Sequence, residues 1–392
     1  MIKHSWEVSA NRDPQFTIHV VKALLHPGNA TLSCIGHLKT KRLVFVDSGL
    51  PSCLHERIVA YFSAYGIRAK IVSVSGGEAC KSFEAVQSIT TEMETFHLNR
   101  RGEPIIIFGG GAVLDVVGFA ASIFRRGVPF VRIPTTLLAY VDAAVGIKTG
   151  INFFGCKNLI GSFATPAAVL LDVEQLCSLP QEEISCGLGE VLKLGVGCDK
   201  RLITLMEEAT PFLLSKELNH PRCQAMLHRS IEIMIEQLSS NLYENNLQRL
   251  VDLGHTFSQK FELSENGSGM RHGDAVTLDI CLFLIISLQR NLLSKSELDR
   301  VIRLIRSCNM PCDLSEVDVE DLWDSVLERV RHRGGKQNIP LPVQLGKCIF
   351  INDLSFEDLA RAYQGFRYYF GSNEEQLPLV SQGLRQSLQQ DS

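Results

Sequence analysis

IIIFGGGAVLDVVGFAAS, residues 105–122, decides how this chain is read. Four large apolar residues make a run too short for a helix and right for a fully buried strand. Three glycines stop it. Behind them comes a stretch of helical composition, so the segment reads as strand, tight turn and helix start. Glycines at such a turn let a backbone approach phosphates, and a helix N-terminus offers free N–H groups and the positive end of a dipole. The usual GxGxxG spacing is absent, and a plain tight turn explains the glycines equally well.

Outward from this segment the same alternation repeats. RLVFVDSG (42–49), AKIVSVSGG (69–77), EPIIIFGGG (103–111) and PFVRIPTT (129–136) are short apolar runs, each closed by turn residues. Helix-like mixtures such as LHERIVAYFSAYG separate them. Buried strands alternating with helices predict an α/β fold with a parallel, doubly wound, Rossmann-like sheet. From about residue 180 the period changes. Helical segments are expected at 182–196, 200–215, 220–244, 255–263, 272–291, 296–308 and 318–331, with strand-like sequence near 338–351. The expected organisation is an α/β domain over 1–180, a mostly α-helical domain over 181–370, and a Gln- and Ser-rich flexible tail over 371–392.

With 45% hydrophobic residues in 392, the chain can bury a large core, and a net charge of −4 gives no basic footprint for nucleic acid. Twelve cysteines are scattered without a CxxC pair, which reads as reduced, mostly structural thiols. The N-terminus has no apolar signal-like region, and the greasiest stretch, 275–289, is short and contains Asp279. These features predict a cytoplasmic protein with no membrane and no nucleic-acid partner.

Asp47 closes an early strand, where an acid commonly binds a ribose hydroxyl, although a turn Asp is as ordinary. Glu190 in GLGEVLKLG, His255 in VDLGHTFSQ and His272 in RHGDAV form one Glu and two His from separate segments. That set suits zinc with an open coordination position. Each histidine adjoins a glycine, which permits close packing around an exposed ring. Arg126, Lys148, Lys157 and Asn158 are cations and amide donors of a kind that can hold an anion. For the lysines a solvated surface is the rival reading, and for Asp142 a helix cap is.

Five segments in order, GGGAVLDVVGFAAS, FRRGVPFVRIPTTLLAYVDAAVGIKTGINFFGCKNLIG, GLGEVLKLG, GHTF and HGDAV, resemble the dehydroquinate synthase superfamily of sugar phosphate cyclases over about residues 40–360. The resemblance implies an NAD domain, a helical metal domain, an active site in the cleft between them, and a homodimer. It places NAD on Asp47, Glu78, Lys81, Gly110, Gly111, Asp115, Thr135, Thr136 and Ser178, and a divalent metal, zinc or cobalt, on Glu190, His255 and His272. It places the catalytic and substrate-binding roles on Arg126, Asp142, Lys148, Asn152, Lys157, Asn158 and Lys193 beside the metal ligands. The implied chemistry is transient oxidation by NAD, β-elimination of phosphate, re-reduction and intramolecular aldol closure. That makes the enzyme a carbon–oxygen lyase with no net redox change.

Within the superfamily, dehydroquinate synthases act on a carboxylated sugar phosphate. Their GHTFGHAIE motif has a second histidine where this chain has Gln259, and their flanking Asn and Arg become Asp252 and Gln248, with Arg249 adjacent. A C-terminal lysine becomes His332. NLQRLVDLGHTFS and VRHRGGKQNIPLPVQLGK resemble instead the branch that takes sedoheptulose 7-phosphate to C7 cyclitols. Asp274, Thr277 and His332 fit its 2-epi-5-epi-valiolone synthases, ahead of 2-epi-valiolone and desmethyl-4-deoxygadusol synthases. The expectation is a pocket poor in cations and unfriendly to a carboxylate, with Arg249, Asp252, Gln259, Asp274, Thr277 and His332 facing the sugar. Further rivals are 3-dehydroquinate synthase itself and a glycerol-dehydrogenase-like oxidoreductase.

Overall fold

The alternating apolar runs assemble into one six-stranded sheet in the computed structural model, which describes residues 14–262, 269–314 and 317–370. The strands are β1 (Ile18–Val20), β2 (Lys41–Asp47), β3 (Arg68–Val74), β4 (Ile105–Gly109), β5 (Phe130–Pro134) and β8 (Ala168–Leu171). Their order is β1-β8-β5-β4-β2-β3, and every pairing is parallel. All five residues of β4 and of β5 are buried, which is why those strands carry no polar alternation. The chain runs outward from β2 to β3, then returns to the other side of β2 as β4. The reversal opens a crevice beyond the carboxyl ends of β2 and β4, where open α/β sheets bind ligands.

Between β5 and β8 stands an antiparallel hairpin of β6 (Lys148–Phe153) and β7 (Cys156–Phe163). The sequence reading took this stretch as a phosphate-binding run and did not foresee strands, because charged and apolar residues alternate irregularly along it. It also missed β1, β8 and the helix Phe356–Phe370, which are short or lack a glycine stop.

From Gln181 the chain is mainly helical, with β9 (Ile339–Gln344) and β10 (Lys347–Ile351) forming a second hairpin. The helix expected over 220–244 is Pro221–Ser239, and Asn241 then trades hydrogen bonds with Asn246 to fold a loop. Helix His272–Gln289 is long and apolar enough to cross a membrane, but 83% of it is buried inside this fold. It serves as the central helix of that half, packed on helices Gln181–Gly197 and Phe356–Phe370.

A single apolar cluster joins the two halves. Val113, Val117 and Tyr140 from the sheet side share it with Leu188, Val191 and Phe283 from the helices. The opposite face of the sheet has its own cluster around Ile58, Tyr61 and Phe62. The cleft lies along the seam between sheet and helices.

Candidate active site

Glycine decides how the metal-type residues meet. A Cβ on Gly189 would overlap the Gly273 carbonyl, and one on Gly273 would overlap the Cys186 carbonyl. Helices Gln181–Gly197 and His272–Gln289 therefore touch backbone to backbone, and Glu190 lies beside His272. Gly254 adopts φ +80, with Val276 Cγ1 only 2.7 Å from where its Cβ would be, and turns the chain so that His255 enters the same space. One ligand atom from each of Glu190, His255 and His272 lies within 4.8 Å of the others.

The neighbours of these rings fix their orientation. His255 Nδ1 faces the Leu253 carbonyl at 3.1 Å, and His272 Nδ1 faces Glu262 Oε1 at 3.0 Å. Each Nδ1 is thus the protonated nitrogen, and each Nε2 points toward Glu190 Oε1, at 3.8 Å from His255 and 3.2 Å from His272. Carboxylate and carbonyl partners of this kind set the tautomer of metal-binding histidines. Glu190 is fully buried, and neither of its oxygens accepts a well-aligned hydrogen bond. Burial lowers the His255 pKa to about 4, which leaves the ring neutral. Burial opposes charge on His272 as well, yet bonds to Glu190 and Glu262 push its pKa up to about 10. One buried carboxylate facing two imidazole nitrogens is a ligand set that fits zinc or cobalt.

Lys193 follows Glu190 by one helical turn and is 2% exposed. Its ammonium pairs with Glu190 and lies 3.4 Å from Asp142 Oδ2. Burial works against its charge, but Asp142 and Glu190 outweigh it and hold the proton firmly. Burial pushes Asp142 up to about 6, although Lys193 pulls the other way.

All nine residues assigned to NAD line one cleft of about 1380 Å³, from Asp47 at the end of β2 to Ser178. Gly110 caps helix Gly111–Ile123, directly after β4. A Cβ on Gly110 would meet Thr136 Cγ2 at 3.0 Å, so the glycine lets the turn after β4 pack closely against Thr136. Lys81 Nζ donates to Asp115 Oδ2 at 2.8 Å and to Asn158. Asn152 donates to Glu78 Oε1 at 2.8 Å and accepts from the Asn158 amide at 2.9 Å. The volume exceeds an ordinary small-molecule pocket of roughly 300–1,000 Å³ and suits a dinucleotide beside a sugar phosphate.

The same cleft is lined by Asp142, Lys148, Asn152, Lys157, Asn158, Lys193, Arg249, Asp252, His255, Gln259 and His272. Four expected substrate residues lie elsewhere. Arg126 is exposed at φ +62 beyond the end of helix Gly111–Ile123, in a turn that carries it away from the cleft. Asp274 is held by Arg271 Nε at 2.7 Å, and Thr277 donates to the Gly273 carbonyl at 2.8 Å. Both are buried along their helix instead of facing the cleft. His332 points outward at the end of its helix, 3.7 Å from Glu328. The phosphate set is also engaged internally, with Lys148 on Glu244 and Lys157 Nζ 2.5 Å from Glu262 Oε2.

The expectation of a cation-poor pocket is corrected by the helix Val319–His332 and the residue after it. Arg333 Nη2 donates to Asp252 Oδ2 at 2.6 Å, Arg329 Nη2 lies 3.5 Å from the same oxygen, and Arg249 holds Oδ1. Burial alone would raise the Asp252 pKa, but Arg249, Arg333 and Arg329 hold it down at about 2. Three arginines converge where the sequence suggested lost cations. Arg333, Glu244 and Glu262 also line the cleft. Glu262 is not marked out by the sequence although it stands seven residues after His255, because Ser258–Glu262 on its own suggests only a short helix.

The sequence matches the family described as 3-dehydroquinate synthase N-terminal over residues 71–186, and 3-dehydroquinate synthase C-terminal over 187–329. A 2-epi-5-epi-valiolone synthase of Streptomyces albus is 37% identical over 330 residues, covering 83% of this chain and 80% of that protein. A 3-dehydroquinate synthase of Corynebacterium diphtheriae is 33% identical over 298 residues, covering 76% and 82%. Among solved structures, ValA, the 2-epi-5-epi-valiolone synthase of Streptomyces hygroscopicus subsp. jinggangensis 5008 with NAD+ and Zn2+ bound, superposes with a TM-score of 0.87 at 31% identity, covering 93% of this chain and 99% of that one.

Proposed function

The chain belongs to the 3-dehydroquinate synthase family, and from that premise we propose that it is a sugar phosphate cyclase converting sedoheptulose 7-phosphate to 2-epi-5-epi-valiolone with release of phosphate. One observation carries the reading. His255 and His272 line the same cleft as the Asp47 and Gly110–Gly111 crevice, with the buried Glu190 within ligand distance of both rings and the Lys193 ammonium beside it. A simple phosphoryl or metal-hydrolytic site has no use for a dinucleotide crevice at that place.

When bound, the metal ion supplies a Lewis acid for two adjacent hydroxyls and NAD takes up and returns a hydride. Glu190, His255 and His272 hold the ion, and Asp47, Gly110, Gly111 and Thr136 line the dinucleotide's place. Lys193 keeps its proton and donates a hydrogen bond to a sugar oxygen. Asp142, raised to about 6, gains or loses a proton near neutrality beside that oxygen. Lys148 and Lys157 exchange Glu244 and Glu262 for oxygens of the substrate phosphate, which accepts strong charge-assisted bonds. Burying these groups along the seam excludes water from the eliminated, unsaturated intermediate. We further read the enzyme as a cytoplasmic homodimer and a carbon–oxygen lyase.

The test is incubation with sedoheptulose 7-phosphate, NAD and zinc or cobalt, followed by phosphate assay and product NMR. The expected result is phosphate release with a C7 cyclitol and no stoichiometric NADH. Accumulated NADH would make the protein a plain dehydrogenase. The meeting of Arg249, Arg329 and Arg333 favours a second reading, 3-dehydroquinate synthase, since such a cluster suits a carboxylate. Direct competition between the two substrates separates the readings.

A further inference from the structure

Arg132 sits in the middle of β5, on a central strand of the sheet, and is fully buried. Its neighbours Val131 and Ile133 enter the apolar cluster on one face. Arg132 leaves from the other face, toward the cleft side. A guanidinium at that place loses its water and makes no direct ion pair among the described residues, with only the more distant charge of Asp115 in its favour. Burial lowers its pKa to about 10, which still leaves it charged. A charge retained inside a sheet needs a reason, because an apolar residue would suit the strand better.

The reason lies in what the fork holds. Nη1 donates to the Ala143 carbonyl at 3.1 Å and the Gly146 carbonyl at 2.6 Å, and Nη2 donates to the Lys148 carbonyl at 2.8 Å. All three acceptors lie within six residues. They belong to the connection between the wide turn Ala139–Ala143 and strand β6. That turn ends one residue beyond Asp142, whose carboxylate lies 3.4 Å from Lys193 Nζ. The connection ends at Lys148, whose side chain enters the cleft. Main-chain bonds hold other points of this path, from Ala144 to the Ala139 carbonyl at 2.9 Å, from Val145 to the Asp142 carbonyl at 2.9 Å and from Ala164 to the Ile147 carbonyl at 2.8 Å, and the fork adds the carbonyls of Ala143, Gly146 and Lys148 to them.

We infer that Arg132 is a positioning residue: it clamps the Ala143–Lys148 backbone from inside the sheet and thereby sets Asp142 and Lys148 against the metal triad. A rigid planar fork can hold three carbonyls in fixed directions, which a flexible ammonium cannot do. Arg132 touches no reacting atom and acts only through the segment it holds. The inference rests on the proposed reading of the cleft as the cyclase site.

The experiment compares wild type with Arg132→Lys and Arg132→Met by hydrogen exchange, NAD and metal binding, and steady-state kinetics on sedoheptulose 7-phosphate. In Arg132→Lys, amides of residues 142–148 are expected to exchange at least tenfold faster while β4 and β8 stay protected. NAD and zinc affinities stay within about twofold. The kcat falls at least tenfold with a smaller change in KM, and Arg132→Met loses more. Combining Arg132→Lys with Asp142→Asn gives less than the product of the single losses, because both act at one place. A folded variant with wild-type exchange over 142–148, or with kcat unchanged at a lowered melting temperature, overturns the proposal. So does loss of NAD affinity in step with kcat. If Arg132→Met does not fold, Arg132→Lys decides. If wild type itself is inert on this sugar, the cyclase reading fails, and the exchange data still decide whether Arg132 holds the segment.

Discussion

Glu262 Oε1 accepts the Nδ1 proton of His272 at 3.0 Å. The same carboxylate holds Lys157 through its other oxygen at 2.5 Å. Glu262 therefore ties the β6–β7 hairpin to the metal triad. Burial alone would raise its pKa, but His272 and Lys157 hold it down at about 2, so it stays ionised at any working pH. Such outer partners typically contribute roughly 10–100-fold to metal affinity. Glu262→Gln should therefore weaken zinc binding by about that factor, read by competition with a chromogenic chelator, while NAD affinity is preserved. Undiminished zinc affinity would show that His272 is oriented by packing alone.

Gly189 and Gly273 make the second prediction. The backbone contact between their helices leaves no space for a methyl group, and the obstructing atoms are main-chain, which cannot rotate aside. Gly189→Ala should force the two helices apart, costing at least ~1–3 kcal/mol as overpacking does. Glu190 and His272 would separate in the same movement. Thermal melts and metal content should fall together. A melting loss with full metal occupancy would mean that the triad tolerates the shift.

These two glycines also show how far the sequence could be read. The strand–turn–helix at 105–122 was legible because apolar runs and glycine stops are local signals. Glu190, His255 and His272 each adjoin a glycine in the sequence, and the fold brings their ligand atoms within 4.8 Å of one another. Arg333 and Arg329 were not, since their meeting with Asp252 depends on how a helix 77 residues later packs, and nothing near Asp252 announces it. The family resemblance points to His332 instead, yet its ring is exposed at the end of its helix beside Glu328. The β6–β7 hairpin escaped because its residues answer to cleft chemistry more than to a regular period.

Asp252 gives a pH-dependent prediction. Its pKa is depressed to about 2 against an ordinary carboxylate value near 3.9, so its contribution is fully present above pH ~4 and is lost as pH falls toward 2. A shift of this size corresponds to about 2–3 kcal/mol for a deeply buried group. Asp252→Asn should lower stability at pH 7 by about that amount or more, because three arginines lose their shared partner. The gap between wild type and variant should narrow between pH 4 and 2, measured by denaturant unfolding at each pH. A gap constant across that range would place the cost in packing and not in charge.

The arginine cluster bears last on the choice of substrate. Arg249 is engaged by Asp252 and Glu244, and Arg333 by Asp252 and the Leu247 carbonyl at 2.6 Å. Arg329 donates to the Gln337 and Asn338 carbonyls at 2.8 and 3.1 Å. A substrate carboxylate would have to displace Asp252, a carboxylate already held in the same forks. An uncharged polyol tail meets no such competitor and can accept or donate hydrogen bonds around the rim. Wild type should therefore favour sedoheptulose 7-phosphate over the carboxylated heptulosonate phosphate by about 100-fold in kcat/KM, which needs only ~2.8 kcal/mol. Asp252→Asn removes the competitor and leaves Arg249 and Arg333 with free donors, so it should shift the ratio toward the carboxylated sugar by about tenfold. Steady-state kinetics of both proteins on both sugars measures this directly. Comparable wild-type turnover of the two would mean that the three arginines already serve a carboxylate and would make the chain a 3-dehydroquinate synthase in activity as well as in family, whereas an unshifted ratio in Asp252→Asn would mean that Asp252 does not set the preference.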